Sequence, residues 1–379
     1  MFKTTTASNR SMMGTFRRRR GLVLPFVFLS VAIYLWFPQI VSYGDKLRQT
    51  GPWSSQPDLE QSFVPNKDEV DCLHGSLPPS SDDEFTAAEP IPNRVHFIYG
   101  LSNPYNKPGA GTFDFLCYLA VRSAIIGLKA DKVFLHYTYI SEPPSPDADA
   151  SPLTNPWIKR LEKDITLVHH SPEEMANLKS RPDAVWQAAH VSDILRLKLL
   201  QSEGGIYLDM DAFGLRPFGR VLSSPRGMVL GYEGGNRYGL CNAIMAAHSN
   251  SSFTERWLDS YDGQDLSREW NYHSVVLPGL MQKEYPTEVC ALPPTSFFWP
   301  TWTWRHIEWM HETLDQQQAH YWAGEVERNG GSLFEDQLAY HAWSQMAWSR
   351  YLKHLTPEVV RKRNTRFNIM ISRFLEDDV

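Results

Sequence analysis

The chain has 379 residues, a formal net charge of −6, 42% hydrophobic and 13% aromatic residues. It is long and apolar enough to bury one large catalytic core with appendages, and its modest charge leaves no electrostatic footprint for nucleic acid. There is no Walker A sequence, no G-x-G-x-x-G, no C-x-x-C and no internal repeat, which removes the commonest phosphate-loop and redox readings.

Residues 1–20 carry Lys3, Arg10 and the run Arg17–Arg20 with no acidic residue, and are expected as a basic cytosolic tail. Residues 21–41 are uncharged and apolar (GLVLPFVFLSVAIYLWF, then Ile40 and Val41) and predict a transmembrane signal anchor of the type II orientation. A cleaved signal peptide is the competing reading, but no small-x-small site follows the apolar run. Residues 42–90, with SSQPDLEQ and LPPSSDDE, have the composition of a flexible stem. Cys72 falls in that stem and Cys117, Cys241 and Cys290 in the domain beyond. Four cysteines permit one or two disulfides, and three pairings stay open.

Residues 91–350 read as the folded domain. Arg94–Tyr99 predicts a strand, Gly100–Thr112 a Gly/Pro/Asn-rich loop, Phe113–Leu128 a helix and Lys132–Tyr139 a strand. A proline-rich loop, Pro143–Pro156, then leads to a short helix and the strand Ile165–His169. Alternating strands and helices imply a mainly parallel sheet. His169 and His170 are adjacent on a strand, face opposite ways and so do not share a metal; they read as structural.

Residues 190–218 carry the strongest signal. Ile194, Leu195, Leu197, Leu199 and Leu200 surround most of a helix, as in a buried one. Gly204-Gly205 stops that helix, and Ile206-Tyr207-Leu208 forms a short apolar strand that delivers Asp209, Met210 and Asp211. Strand alternation puts both carboxylates on one side, where they repel unless a cation lies between them. A bare D-x-D is most often a solvated turn. Here the buried helix, glycine pair and apolar strand favour a site for Mn²⁺ or Mg²⁺ and a diphosphate. Asp193 and Arg196, three apart, share one helix face; they form either an ion pair worth a few tenths of a kcal/mol or part of a donor pocket.

The runs Ser192-Asp193-Ile194-Leu195-Arg196 and Gly204 to Asp211 resemble the DXD sugar-binding region of glycosyltransferase family 32. The resemblance is strong there and weaker from about Asn93 to Trp343. It implies a GT-A-like α/β domain that binds a nucleotide sugar, preceded here by the transmembrane helix and stem. It implies further that Asp193 and Arg196 hold hydroxyls of the transferred sugar. Asn242, near the start of the stretch Leu240–Ala247, and Glu233, at the end of Gly227–Glu233, would lie beside that sugar. The run Ala339-Tyr340-His341-Ala342-Trp343 is similar to the family's late His-x-Trp element, which offers His341 as third metal ligand and Trp343 as a further candidate. A core histidine held by hydrogen bonds is the competing reading. Asn250-Ser251-Ser252 is a glycosylation sequon. The aromatic run Phe297–Trp304 reads as core rather than as a sugar platform. Residues 351–379 are basic and predict a solvated helical tail or a contact with anionic headgroups.

The expected function is a retaining, metal-dependent transfer of a hexose, mannose or galactose, from GDP-mannose or a UDP-hexose to a glycan or glycolipid. Its place is the Golgi lumen, with Asp209 and Asp211 catalytic. Front-face attack, with the departing phosphate taking the acceptor proton, is what the resemblance implies. Two rivals remain: a catalytically silent subunit of a Golgi complex, and a DxD phosphatase, disfavoured because about a hundred folded residues precede the motif.

Overall fold

The computed structural model describes residues 64–378, apart from 79, 87, 107–112, 179–186, 235–236, 238 and 263–270. Nine strands are present among the described residues: β1 (Arg94–Tyr99), β2 (Lys132–Tyr137), β3 (Thr166–His169), β4 (Gly205–Leu208), β5 (Ala212–Gly214), β6 (Met228–Glu233), β7 (Gly239–Ala247), β8 (Val289–Leu292) and β9 (Ala339–His341). Seven form one sheet in the order β3-β2-β1-β4-β7-β6-β8, and β5 pairs with β9 in a separate ribbon. Only β7 runs against the other six strands of the large sheet. The GT-A-like α/β core with a mainly parallel sheet is therefore present.

Both faces of the sheet are covered, as a parallel sheet requires. Along β4, Ile206 and Leu208 join one apolar cluster while Tyr207, between them, joins the other. The first cluster takes in helix α1 (Lys67–His74) at Cys72 and helix α2 (Phe115–Ile126), which is buried nearly all round and capped by the Asp114 carboxylate on the Cys117 N–H at 3.0 Å. The second takes helix α3 (Gln187–Glu203) through Val191, Ile194, Leu195 and Leu200, with helix α4 (Ser252–Asp259) through Phe253 and Trp257. The chain leaves β1 for β2 and β3 on one side and returns to β4 on the other, so a crevice opens between the carboxyl ends of β1 and β4. The tip of β4 points into it.

The turn from α3 into β4 needs its glycines. Gly204 and Gly205 have φ of 66° and 114°, and a Cβ on Gly205 would lie 2.8 Å from the Arg94 carbonyl. A chain of imidazoles supports the same turn. His96 Nε2 lies 3.2 Å from the Gly204 carbonyl, His96 Nδ1 3.1 Å from His136 Nε2, and His136 Nδ1 3.0 Å from His170 Nε2. A carbonyl only accepts, so each neutral ring must carry its proton on Nε2 and donate toward Gly204. His170 is structural, as its sequence context predicts.

Three expectations are corrected. Residues 21–41 lie outside the described residues, and among those described no helix is long and apolar enough to cross a membrane. Among the described residues the fold is the α/β domain alone, and the spanning helix expected before it is not supported. Residues 64–90 are not a free stem where they are described. Asn66 and Glu69 form a capping box that starts α1, Cys72 is disulfide-bonded to Cys290 on β8, and the buried Glu69 pairs with Arg237 in the β6–β7 turn. Composition hid this because long-range anchors leave no local pattern. Cys117 and Cys241 are free and buried.

The third correction concerns the tail. Helix α5 (Arg366–Ile371) buries Phe367, Met370 and Ile371 completely, with Phe367 edge-on to Phe213 of β5 at 5.6 Å between ring centroids. Phe367→Ala should cost about 3–5 kcal/mol of unfolding free energy in urea titrations; a change within about 0.5 kcal/mol would return these residues to a solvated tail.

Candidate active site

The D-x-D does not continue the strand. β4 ends at Leu208, and the Ala212 N–H donates to the Asp209 carbonyl at 2.9 Å, so Asp209–Ala212 is a turn between β4 and β5. This differs from the strand alternation expected, and the carboxylates converge for another reason. β5 pairs antiparallel with β9, with Ala212 opposite His341, and the Ala342 N–H donates to the Asp211 carbonyl at 2.8 Å. That ribbon carries His341 across 130 residues of sequence to Asp211, with Nε2 to Oδ1 at 3.2 Å. Asp209, Asp211 and His341 each bring one ligand atom within 4.8 Å of the others.

Each carboxylate also has protein partners, contrary to the bare repelling pair that sequence suggests. Asp211 accepts from the Ser344 N–H on Oδ2 at 2.8 Å. Burial would raise its pKa, but His341 and Ser344 outweigh that and hold Asp211 well below the usual carboxylate range. Burial also opposes charge on His341, and Asp211, with Asp209 and Glu233 adding to it, shifts that ring upward on balance. Asp209 Oδ1 receives the Tyr207 hydroxyl at 2.7 Å and Arg196 at 3.1 Å. Burial, opposed by Arg196 and aided by Asp211, leaves the Asp209 carboxyl pKa raised.

A second group adjoins the first. The Arg196 guanidinium reaches Asp193 at 3.5 Å, donates to the Asn242 carbonyl and the Ser192 hydroxyl at 3.0 Å each, and lies 4.4 Å above the Tyr207 ring. Asn242 Nδ2 donates to Asp193 Oδ1 at 2.8 Å. The few-tenths surface ion pair does not describe this arrangement, because Asp193 and Arg196 are both buried and belong to a network spanning α3, β4 and β7.

The remaining candidates separate. Glu233, at the end of β6, is close enough for its charge to act on His341 and Cys241. Trp343 is a support: its backbone is left-handed at φ 53°, its indole donates to the Pro300 carbonyl at 2.8 Å, and its ring meets His341 at 4.2 Å. Phe298 packs on the same imidazole at 6.1 Å, so part of the aromatic run is core behind the site. Asn250 follows β7, whose Ala247 pairs with Gly205, and so lies at the other end of β4 from Asp209. Tyr207, Ser192 and the Ser344 N–H were not singled out from sequence; only the turn onto β9 gives Ser344 its place.

A family model described as the glycosyltransferase sugar-binding region containing a DXD motif matches residues 144–228. Glucan organizing enzyme 1 of Cryptococcus neoformans var. grubii is 34% identical over 294 residues, which cover 75% of this chain and 71% of that protein. The chain belongs to the DXD glycosyltransferases. Among solved structures, this glycosyltransferase is similar to the PaToxG glycosyltransferase (TM-score 0.37, 16% identity, 81% of this chain and 93% of that one). It is also similar to mouse xyloside xylosyltransferase 1 in its apo form (TM-score 0.40, 11% identity, 68% and 99%).

In this glycosyltransferase, burial pushes the Asp193 carboxyl pKa up to about 6 from 3.8, against the opposing pull of Arg196 and Asn242. A raised folded-state pKa means stability that is present below the unfolded value and lost as pH rises through the folded one. Wild type should therefore lose about 3 kcal/mol between pH 4 and 6.5 that Asp193→Asn does not lose, at roughly 1.4 kcal/mol per pKa unit. Urea unfolding of both proteins across that range checks it, and parallel pH profiles would contradict it.

Proposed function

We propose that the chain transfers a hexose from a nucleotide sugar, GDP-mannose or a UDP-hexose, to a glycan or glycolipid acceptor with the aid of a divalent cation, Mn²⁺ or Mg²⁺. The observation that carries this reading is the convergence of Asp209, Asp211 and His341 within 4.8 Å beside the buried Asp193–Arg196–Asn242 group. Two carboxylates and an imidazole suit such an ion. The open side of Asp209 supports it: both described partners of Asp209 take Oδ1. The bound cation supplies Lewis-acid stabilisation to the charge that builds on the departing diphosphate.

The chain's own groups do the rest. Ser344 and His341 fix the rotamer of Asp211, and Arg196 with Tyr207 fixes that of Asp209, so the site is organised before donor arrives. Asn242 orients Asp193 to accept hydroxyls of the transferred sugar. In the reaction the bond between the anomeric carbon and the diphosphate oxygen breaks, and its electron pair leaves with the phosphate. The acceptor oxygen forms the new bond, with retention, and its proton passes to that phosphate. The intact cluster favours transfer over a silent subunit. The Cys72–Cys290 disulfide supports an oxidising lumen, and we assign the domain to the Golgi. The exposed Asn250 would carry glycan there, away from the site. The fungal relative is named for glucan, so glucan joins the candidate acceptors.

Asp211→Asn keeps shape but removes a charge and should lower transfer by about three orders of magnitude, equivalent to several kcal/mol of transition-state stabilisation. His341→Ala should raise the Mn²⁺ concentration needed for half-maximal rate with a smaller loss at saturation. Activity titrated with Mn²⁺ against an EDTA blank measures both. Full activity in EDTA, or normal transfer by Asp211→Asn, would overturn the reading.

A further inference from the structure

Helix α3 carries a further buried polar residue, His190, one turn before Asp193 and on the same side of the helix as Asp193. Arg196 touches Asp209 at 3.1 Å, Asp193 lies three residues before it, and His190 three before that. At about 1.5 Å of rise per residue, His190 stands roughly 9 Å further along the helix than Arg196. His190 is 7% exposed, and its buried Nδ1 has no partner among the described residues.

Tyr261, just past α4, faces the same region. It packs in the apolar cluster with Val191, Ile194 and Leu195 and lies tilted against His273 at 4.8 Å between ring centroids. It is 2% exposed, and its hydroxyl also lacks a partner among the described residues. It shares that cluster with three residues of α3 that flank Asp193, and the charges of Asp193 and Arg196 both reach the phenol. Asp193 is engaged by Asn242 and Arg196 through Oδ1 alone among the described residues. A buried hydroxyl and a buried ring nitrogen left unbonded each cost on the order of 1–3 kcal/mol. Their cost is offset if a ligand with closely spaced groups that both donate and accept completes them.

We propose that Tyr261 and His190 extend the donor-sugar pocket beyond Asp193 and bind hydroxyls on the sugar carbons remote from the anomeric centre. They thereby set which hexose is accepted. The direction follows from the helix: the diphosphate end belongs at Asp209 and Asp211, the sugar lies over Arg196 and Asp193, and its far edge meets His190 and Tyr261. This rests on the transferase reading above. A site built to bond a hydroxyl discriminates strongly against an analogue lacking it, because its own buried groups are then stranded.

The test uses the purified full chain with Mn²⁺ and measures release of nucleoside diphosphate from UDP-glucose, UDP-galactose and GDP-mannose. The best of the three is then compared with its 4-deoxy and 6-deoxy analogues. Wild type should prefer the parent sugar over at least one analogue by about 100-fold in kcat/KM, near the lower end of what a stranded polar group yields. Tyr261→Phe should shrink that preference at least about tenfold, by slowing the parent and sparing the analogue, with Tm unchanged or raised. His190→Gln should do the same at the same or the neighbouring carbon. A purely structural role would instead lower Tm and leave the preference intact. An active wild type whose preference neither substitution moves overturns this inference alone. A wild type that consumes none of the three donors overturns it together with the transferase reading.

Discussion

A guanidinium only 6% exposed is the constraint around which this site is built. Stripping one partner from a buried ion pair typically costs about 3–5 kcal/mol, so Arg196 fixes the groups around it as firmly as they fix Arg196. Its partners come from three elements: Ser192 and Asp193 on its own helix, Asp209 at the tip of β4, and the Asn242 carbonyl on β7. Helix, strand tip and neighbouring strand are thereby locked at one point. The buried face of Tyr207 closes the point from below and returns its hydroxyl to Asp209. The Asp193–Asn242 pair and Asp209 are then one network, and displacement of either disturbs both.

The second half of the site is supplied from far along the chain. Neither Asp211 nor His341 would be placed without the β5–β9 ribbon, and the ribbon in turn packs on Phe367, which stacks obliquely toward Tyr340 of β9 at 6.3 Å. The C-terminal residues therefore belong to the support of Asp211 and His341. Their chemistry depends on dry aromatic walls: His341 has Trp343 on one side and Phe298 on another, so its ring has little rotational freedom.

Much of the site was legible because it is written locally. Apolar residues around α3, the Gly204-Gly205 stop and the short β4 give periodicity and turn signals within a single stretch. Asp209 and Asp211 are read from that local pattern and His341 by resemblance, and the three lie within 4.8 Å of one another. The geometry that unites them was not legible. The turn at Asp209–Ala212 contains no glycine, proline or asparagine, and its two aspartates, though turn formers, read as ligands at the tip of a continuing strand. Tyr207 reads as one more apolar strand residue until Arg196 is seen above it. The pairing of Cys72 with Cys290 spans 218 residues and has no local signature. Asn66 and Glu69 did offer one, a capping box, inside a segment whose composition argued for disorder. In α5 five of the six residues are buried, yet so short a helix in a basic stretch shows too little period to outweigh its charge.

The central claim is that the Asp209–Asp211–His341 cluster holds a cation that in turn holds a diphosphate. Cation and nucleotide should then bind cooperatively, since each screens charge that the other must face. Calorimetric titration of Mn²⁺ into the purified chain, alone and with saturating UDP or GDP, tests this without reference to turnover. The account predicts that one of the two nucleotides tightens Mn²⁺ binding by at least about tenfold, a coupling of roughly 1.4 kcal/mol, and that Asp211→Asn abolishes the gain. Mn²⁺ affinity that neither nucleotide changes, or coupling that survives in Asp211→Asn, would contradict it.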